Sequence, residues 1–157
     1  MLTAESLALI NQEIAKYPAA QKQSAVMGAL RIAQTEKGWL SKDTIAYVAD
    51  YLGMPAIAAY EVATFYNMYD LEPVGRHKVT LCTNLPCQLQ GADQVAAHLQ
   101  NKLGIGFGET TPDGRYTLKE GECMGACGNG PLCLHNNHQM HAHLTPEAVD
   151  KLLDEMK

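Results

Sequence analysis

Hydrophobic residues recur every three or four positions through about the first 70 residues, which predicts a series of short amphipathic helices. The first helix begins after Thr3, whose side chain can cap it, and ends at Pro18. The second helix covers residues 20–36. The side chains that we expect to face the interior of this group are Leu7, Ile10, Ile14, Tyr17, Val26, Met27, Leu30, Ala33, Ile45, Val48 and Leu52.

The residues between these segments are types that start or stop helices. Gly38 lies just beyond the second helix, where a left-handed residue is favoured. Ser41 caps a third helix that Gly53 stops, and Pro55 fits the first turn of a fourth. Short amphipathic helices are not stable alone, so we predict that the four pack together as a small bundle.

The pattern changes at residues 71–76, where Pro73 and Gly75 interrupt the helical period. Beyond them apolar and polar residues alternate, which predicts a strand that ends on Cys82. We therefore place a domain boundary here. The prediction is a helical bundle at residues 1–72 and a second domain at residues 73–157.

Strand and helix patterns alternate in this second domain. A helix over residues 88–103 follows the first strand, Asn136-Asn137 predicts a hairpin turn, and Thr145 caps a final helix. The order β-α-β-β-β-α predicts an α+β chain in which the helical bundle precedes a thioredoxin-like α/β domain. The residues that mark these elements are Tyr116, Leu118, Leu132, Leu134, Met140 and Ala142 in strands, and Leu89, Val95, Leu99, Leu103, Val149, Leu152, Leu153 and Met156 on the inner faces of helices.

Composition narrows the functional classes. The 157 residues are 46% hydrophobic and carry a net charge of -5 without a basic stripe, so nucleic acid is not an expected partner. No apolar run is long enough to span a membrane, and the first ten residues resemble no export or transit signal, so we expect a cytoplasmic location. The odd count of five cysteines favours metal binding over a disulfide framework.

Four of the cysteines form two close pairs. Cys82 and Cys87 are spaced C-x4-C, and Cys123 and Cys127 are spaced C-x3-C, each pair falling where a strand gives way to a loop. Two such loops brought together supply four thiolates, which suits a [2Fe–2S] cluster with two ligands on each iron, or a single tetrahedral zinc. The spacers favour the cluster, because zinc sites usually have two-residue spacers.

Backbone N–H groups near the sulfurs would offset the negative charge of such a cluster. Gly121, Gly125, Gly128 and Gly130 crowd the second loop, and a residue without a Cβ lets its N–H approach a sulfur closely. Two other functions stay open. One is a structural zinc module, and the other is a thiol redox sensor in which Cys133 is the resolving thiol. A thioredoxin-type enzyme would need C-x-x-C, which is absent.

The remaining candidate residues have simpler explanations. Cys133 lies on a predicted apolar strand, so we interpret it as a buried thiol and not as a ligand. His138, His141 and His143 look like a metal-binding tract, but on a strand His141 and His143 would share a face and His138 would not, so a solvated strand face explains them better. The aromatic residues Tyr60, Phe65, Tyr66 and Tyr69 are interpreted as core packing between the helical bundle and the second domain, with a docking surface as the alternative.

Four motifs resemble one family closely. Ala63-Thr64-Phe65-Tyr66-Asn67-Met68, Pro73-Val74-Gly75, the segment Cys82–Cys87 and Gly121-Glu122-Cys123-Met124-Gly125-Ala126-Cys127 are similar to the [2Fe–2S] subunit of NADH–quinone oxidoreductase, respiratory complex I. The resemblance implies a helical bundle, a thioredoxin-like domain, and one [2Fe–2S] cluster on Cys82, Cys87, Cys123 and Cys127.

The resemblance also implies a partner and a cellular location. The family docks on a subunit that carries FMN and oxidises NADH, among the peripheral-arm subunits on the cytoplasmic face of the bacterial inner membrane. Related subunits serve NAD-linked hydrogenases and formate dehydrogenases, and those hosts stay open. This chain has Asn129-Gly130-Pro131 after the last ligand, where many relatives have a basic residue, Ala and Pro. It also lacks a G-x-G-x-x-G after a strand, so we expect no NADH oxidation by the chain alone.

Overall fold

The computed structural model describes residues 1–156, which form seven α-helices and four β-strands. The prediction of an α+β fold is confirmed. The chain divides into two compact units, one from Met1 to Pro73 and one that begins at Val74. No helix in the described part of the chain is both long and apolar enough to cross a membrane.

The first unit is a bundle of four helices. Its helices are α1 (Ala4–Ile14), α2 (Val26–Lys37), α3 (Lys42–Leu52) and α4 (Ala56–Phe65). The predicted caps are confirmed, because the hydroxyl of Thr3 accepts from the N–H of Ser6 and that of Ser41 accepts from Thr44. Leu30, Ile45 and Val48 are among its fully buried side chains, which confirms the predicted apolar faces of α2 and α3.

The helix predicted over residues 20–36 is only partly α-helical in the structure. Residues Ala19–Ala25 form a 3-10 helix with a non-helical kink at Gln21, and α2 begins only at Val26. The side chains of Ala19–Ala25 are small or polar and form no apolar face to pack, so nothing holds a regular α-helix there. Met27, predicted to be inward, is partly exposed, because the buried face of α2 passes through Val26, Ala29 and Leu30. Pro55 lies at the N-cap position of α4, one residue before the first turn in which it was predicted.

The aromatic residues near the end of α4 divide between core and surface. Tyr69 is buried and its hydroxyl donates to the carbonyl of Met27 at 2.9 Å. Burial raises the pKa of Tyr69 to about 12. Phe65 is 80% exposed and Tyr66 is also accessible. Tyr69 therefore packs in the core of the first unit, and core packing is wrong for Phe65, because α4 ends at Phe65 with that ring on its outer side.

The second unit is built on a mixed four-stranded sheet. Its strands are β1 (His77–Cys82), β2 (Tyr116–Gly121), β3 (Cys133–His135) and β4 (Gln139–His141). They lie in the order β2-β1-β3-β4, with β1 parallel to β2 and the other two pairs antiparallel. The residues that form the core of this unit are Val79, Leu81, Val95, Leu99, Ile105, Tyr116, Leu118, Cys133, Leu144, Val149, Leu152, Leu153 and Met156.

The helices of this unit are partly as predicted. The predicted helix over residues 88–103 is two helices, a short α5 (Leu85–Gln88) and α6 (Ala92–Leu103). Gly91 separates them with a φ of 96°, a left-handed conformation that breaks the helix. The break turns Leu89 outward, so its predicted inward position is wrong and its side chain is 80% exposed.

The end of the chain follows the prediction. Asn136 and Asn137 both have positive φ, which is the conformation of a tight hairpin turn between β3 and β4. The last helix, α7 (Pro146–Glu155), begins after Thr145, whose hydroxyl accepts from the N–H of Ala148. Pro146 occupies its first position, as expected.

Candidate metal centre

Both cysteine pairs lie at one edge of the sheet. In the parallel pair β1 and β2, Cys82 is aligned with Gly121, so the carboxyl ends of the two strands coincide. The N–H of Thr83 donates to the carbonyl of Gly121 at 3.2 Å, which extends this alignment by one residue. The first ligand loop, residues 83–90, and the second ligand loop, residues 122–130, therefore leave the sheet side by side.

The first pair is buried. Cys82 ends β1 and Cys87 lies in α5, and both pack with Ala92 and Leu132. Burial is the main cause that raises the pKa of Cys87 to about 11, and a hydrogen bond with the thiol of Cys82 raises it further. The N–H of Leu132 bonds to the sulfur of Cys87 and opposes this shift, because it stabilises the thiolate.

The second pair is more accessible. The sulfurs of Cys123 and Cys127 are 3.5 Å apart, and Cys123 is exposed. The N–H of Gly125 donates to the sulfur of Cys123 at 3.4 Å, which lowers the pKa of that thiol below its ordinary value. The hydrogen bond with Cys123 raises the pKa of Cys127. Gly125 has a φ of 75°, a left-handed conformation that residues with a Cβ rarely adopt.

The two pairs meet. Met124 and Ala126 of the second ligand loop pack against the buried group that contains Cys82 and Cys87. The thiol of Cys127 interacts electrostatically with both Cys82 and Cys87. Across residues 1–156, no group of three or more His, Cys, Asp or Glu side chains is placed to hold a metal ion. The sulfur contacts at this edge of the sheet are made within each pair.

Comparison with known proteins shows the family of this chain. Residues 10–157 match the family described as thioredoxin-like [2Fe-2S] ferredoxin. The chain belongs to the thioredoxin-like [2Fe-2S] ferredoxins. The predicted thioredoxin-like architecture and the predicted [2Fe–2S] cofactor are thereby confirmed.

Individual relatives agree with this assignment. The chain is 44% identical over 152 residues to a NADH-quinone oxidoreductase subunit of Rickettsia felis, covering 96% of this ferredoxin and 90% of the relative. It is 40% identical to the mitochondrial NADH dehydrogenase [ubiquinone] flavoprotein 2 of Dictyostelium discoideum, covering 99% of this chain and 63% of that one. The fold also matches part of a crystallised NAD+-reducing [NiFe]-hydrogenase with a TM-score of 0.73 at 20% identity, covering 89% of this chain and 24% of that chain.

The residues of this ferredoxin suit a [2Fe–2S] cluster. Four thiols in two pairs match two ligands on each of two irons. The N–H groups of Gly125 and Leu132 are already directed at sulfur, one in each pair, where they stabilise thiolates. Of the four glycines expected to donate to sulfur, Gly125 does so. Gly121 and Gly130 instead allow close packing, because a Cβ on either would lie within 3.0 Å of a neighbouring atom.

Several residues at the site carry no signal in the sequence. Leu132 contributes its backbone N–H, which any residue except proline would supply. Asn84 donates to Glu122 at 2.7 Å and Thr83 to Glu120 at 2.7 Å, which ties the first ligand loop to the end of β2 and the start of the second loop. Gln90 contacts both loops. These polar residues resemble ordinary surface residues until the loops are brought together.

Cys133 is separate from the four paired cysteines. Its side chain is 0% exposed in the core beneath the sheet, and burial alone raises its pKa to about 12. Cys133 packs in this core, apart from the buried group that contains Cys82 and Cys87. The interpretation of Cys133 as a buried thiol is confirmed.

The histidine tract is dispersed. His138 lies in the turn between β3 and β4, His141 ends β4, and His143 lies beyond it with a φ of 52°. The predicted shared strand face of His141 and His143 is therefore wrong, because the strand stops at His141. A different row forms across the sheet, in which Nδ1 of His77 lies 3.1 Å from Nε2 of His135 and the rings of His135 and His141 are 6.5 Å apart.

Proposed function

We propose that this chain is the electron-transfer subunit of an NADH–quinone oxidoreductase, with Cys82, Cys87, Cys123 and Cys127 as the ligands of its [2Fe–2S] cluster. The observation that carries the proposal is the placement of two cysteine pairs in adjacent, packed loops at one edge of the sheet, in a chain of this ferredoxin family. The relatives that are 40–44% identical over nearly the whole chain carry the names of complex I subunits. The electron-transfer role and the host complex follow from these two observations together.

The chain's own residues hold, shield and orient the cofactor. Cys82 and Cys87 provide a buried side with Ala92 and Leu132, which excludes water from one pair of ligands. Cys123 provides an exposed side towards solvent. The cofactor supplies one-electron transfer when bound, and the protein sets its potential through the N–H donors and the burial of the sulfurs.

We propose that the partner is the FMN-bearing subunit that oxidises NADH, and that further peripheral-arm subunits of the complex surround the pair on the cytoplasmic face of the bacterial inner membrane. Leu85 is 66% exposed and Leu89 is 80% exposed, on either side of the buried ligand Cys87. Exposed apolar side chains beside a redox centre suit a protein partner. We also propose that residues 1–72 and 73–157 act as separate domains, the second of which binds the cluster.

Chemical analysis of the whole chain tests this function. Protein purified without air, or reconstituted with iron and sulfide, should contain about two irons and two acid-labile sulfides per chain. It should absorb in the visible range and give a paramagnetic signal on reduction. The Cys123→Ser variant should lose or alter both signals. Colourless wild-type protein that binds one zinc would contradict the proposal and support the structural zinc module.

A second assay tests the partner. The chain alone should not oxidise NADH, whereas the chain with the flavin-bearing subunit should show reduction of its visible bands when NADH is added. NADH oxidation by the isolated chain would refute the proposal that the partner subunit oxidises NADH. The control is the flavin-bearing subunit without this chain.

A further inference from the structure

Gln90 joins the two ligand loops through one side-chain amide. Its Nε2 atom donates to the carbonyl of Pro86 at 2.7 Å and to the carbonyl of Cys127 at 2.8 Å. An amide nitrogen carries two hydrogens, so both are used on main-chain carbonyls, one in each loop. Pro86 adjoins Cys87, and Cys127 belongs to the other pair. The amide therefore spans the interval between the two cysteine pairs.

Gly130 leaves the space that this amide occupies. A Cβ on residue 130 would lie 2.9 Å from Nε2 of Gln90 and 3.2 Å from the sulfur of Cys87. Its φ of -68° is open to any residue, so glycine is needed at this position for space and not for backbone conformation. The second ligand loop thus closes over Gln90 and Cys87 together.

We propose that Gln90 is a positioning residue that clamps Cys127 to the first ligand loop and so maintains the separation of the two cysteine pairs. The proposal rests on the ligand assignment above. Asn84 also bridges the loops, but it bonds to Glu122 ahead of the cysteines. Gln90 bonds to a residue of the second pair itself, so a loss of its donors acts directly on the position of Cys127.

A pair of matched variants tests the clamp. Gln90→Met keeps the length of the side chain and removes both donors. Gln94→Met makes the same change four residues later, in α6 outside both ligand loops, where the exposed side chain hydrogen-bonds to nothing within residues 1–156. In cluster-loaded protein, an iron chelator should bleach Gln90→Met about tenfold faster than wild type, because two hydrogen bonds are lost. Gln94→Met should match wild type.

Two further measurements separate positioning from general stability. The reduction potential should shift in Gln90→Met and not in Gln94→Met, because the potential responds to the placement of ligands and donors. In cluster-free protein, amide hydrogen exchange should accelerate in residues 123–130 of Gln90→Met, with α2 and α3 unchanged.

The outcomes of these tests are distinguishable. Equal bleaching rates, potentials and exchange in the two methionine variants would overturn the clamp. Faster exchange throughout the chain would also overturn it, since Gln90 would then support the fold in general. If the wild type takes up no cluster, the ligand assignment fails, and exchange in the cluster-free protein still decides the role of Gln90.

Discussion

Replacement of one sulfur by oxygen should have opposite consequences at Cys133 and at Cys123. Cys133 is 0% exposed and lies among apolar side chains such as Leu81 and Leu118, whereas Cys123 is on the surface. Cys133→Ser transfers a hydroxyl from water into this core, at a cost of about 1–3 kcal/mol if no partner is found. Cys123→Ser changes an exposed loop, where substitutions usually alter stability by less than about 0.5 kcal/mol.

The two variants should therefore separate stability from cofactor binding. Urea unfolding of the cluster-free protein, followed by circular dichroism, should show a lower midpoint with an unchanged slope for Cys133→Ser and a midpoint close to that of wild type for Cys123→Ser. After anaerobic reconstitution the order reverses. Cys133→Ser should keep the visible spectrum, because Cys133 packs in the apolar core of the second unit, apart from the buried group that contains Cys82 and Cys87, and Cys123→Ser should lose or alter it.

A visible spectrum that changes in the same way in both variants, or in Cys133→Ser alone, would contradict this expectation. In either case the four-cysteine assignment would be wrong. Cys133→Ala provides the control for packing, since it removes the sulfur without adding a hydroxyl. It should be more stable than Cys133→Ser if desolvation of the hydroxyl is the main cost.

Three further predictions concern packing, access and pH. Gly121→Ala should destabilise the protein by about 1–3 kcal/mol in urea unfolding, because its Cβ would lie 2.7 Å from Cγ2 of Thr80. The control Gly128→Ala should not change the midpoint of urea unfolding, because its Cβ would meet nothing within 4 Å. Alkylation of cluster-free protein followed by peptide mass spectrometry should label Cys123 first and Cys133 last, and the opposite order would contradict the described exposure. The free energy of unfolding should decrease as pH rises from about 9 towards 12, because the thiol of Cys133 ionises at a lower pH in the unfolded chain than in the folded one. In urea titrations at a series of pH values, Cys133→Ala should show a smaller decrease.

The positions of the ligand-bearing elements were predictable because they depend on local patterns. The alternation that ends on Cys82 predicted β1, and Asn136-Asn137 predicted the turn before β4. Helix caps such as Thr3 and Ser41 act on neighbouring residues, so they also hold in isolation from the rest of the fold. The spacing of the four cysteines indicated a metal centre for the same reason.

Exposure within these elements was predicted less well. Leu89 fits the apolar period of the helix that follows it, yet Gly91 interrupts that helix and leaves Leu89 outside. Phe65 likewise fits a helical core and lies at the surface. A hydrophobic period indicates which residues share one face of a helix, but it does not indicate whether that face packs against the core or lies in solvent.

The amino-acid sequence by itself determined the class of the fold, the four thiols and the buried state of Cys133, because each depends on residue type and short-range spacing. Only the tertiary structure decided which groups surround those thiols. Leu132 and Gln90 reach them through the registers of β1 with β2 and of β1 with β3, which join residues far apart in the chain. Such contacts follow from strand pairing and leave no periodic pattern in the sequence around either residue.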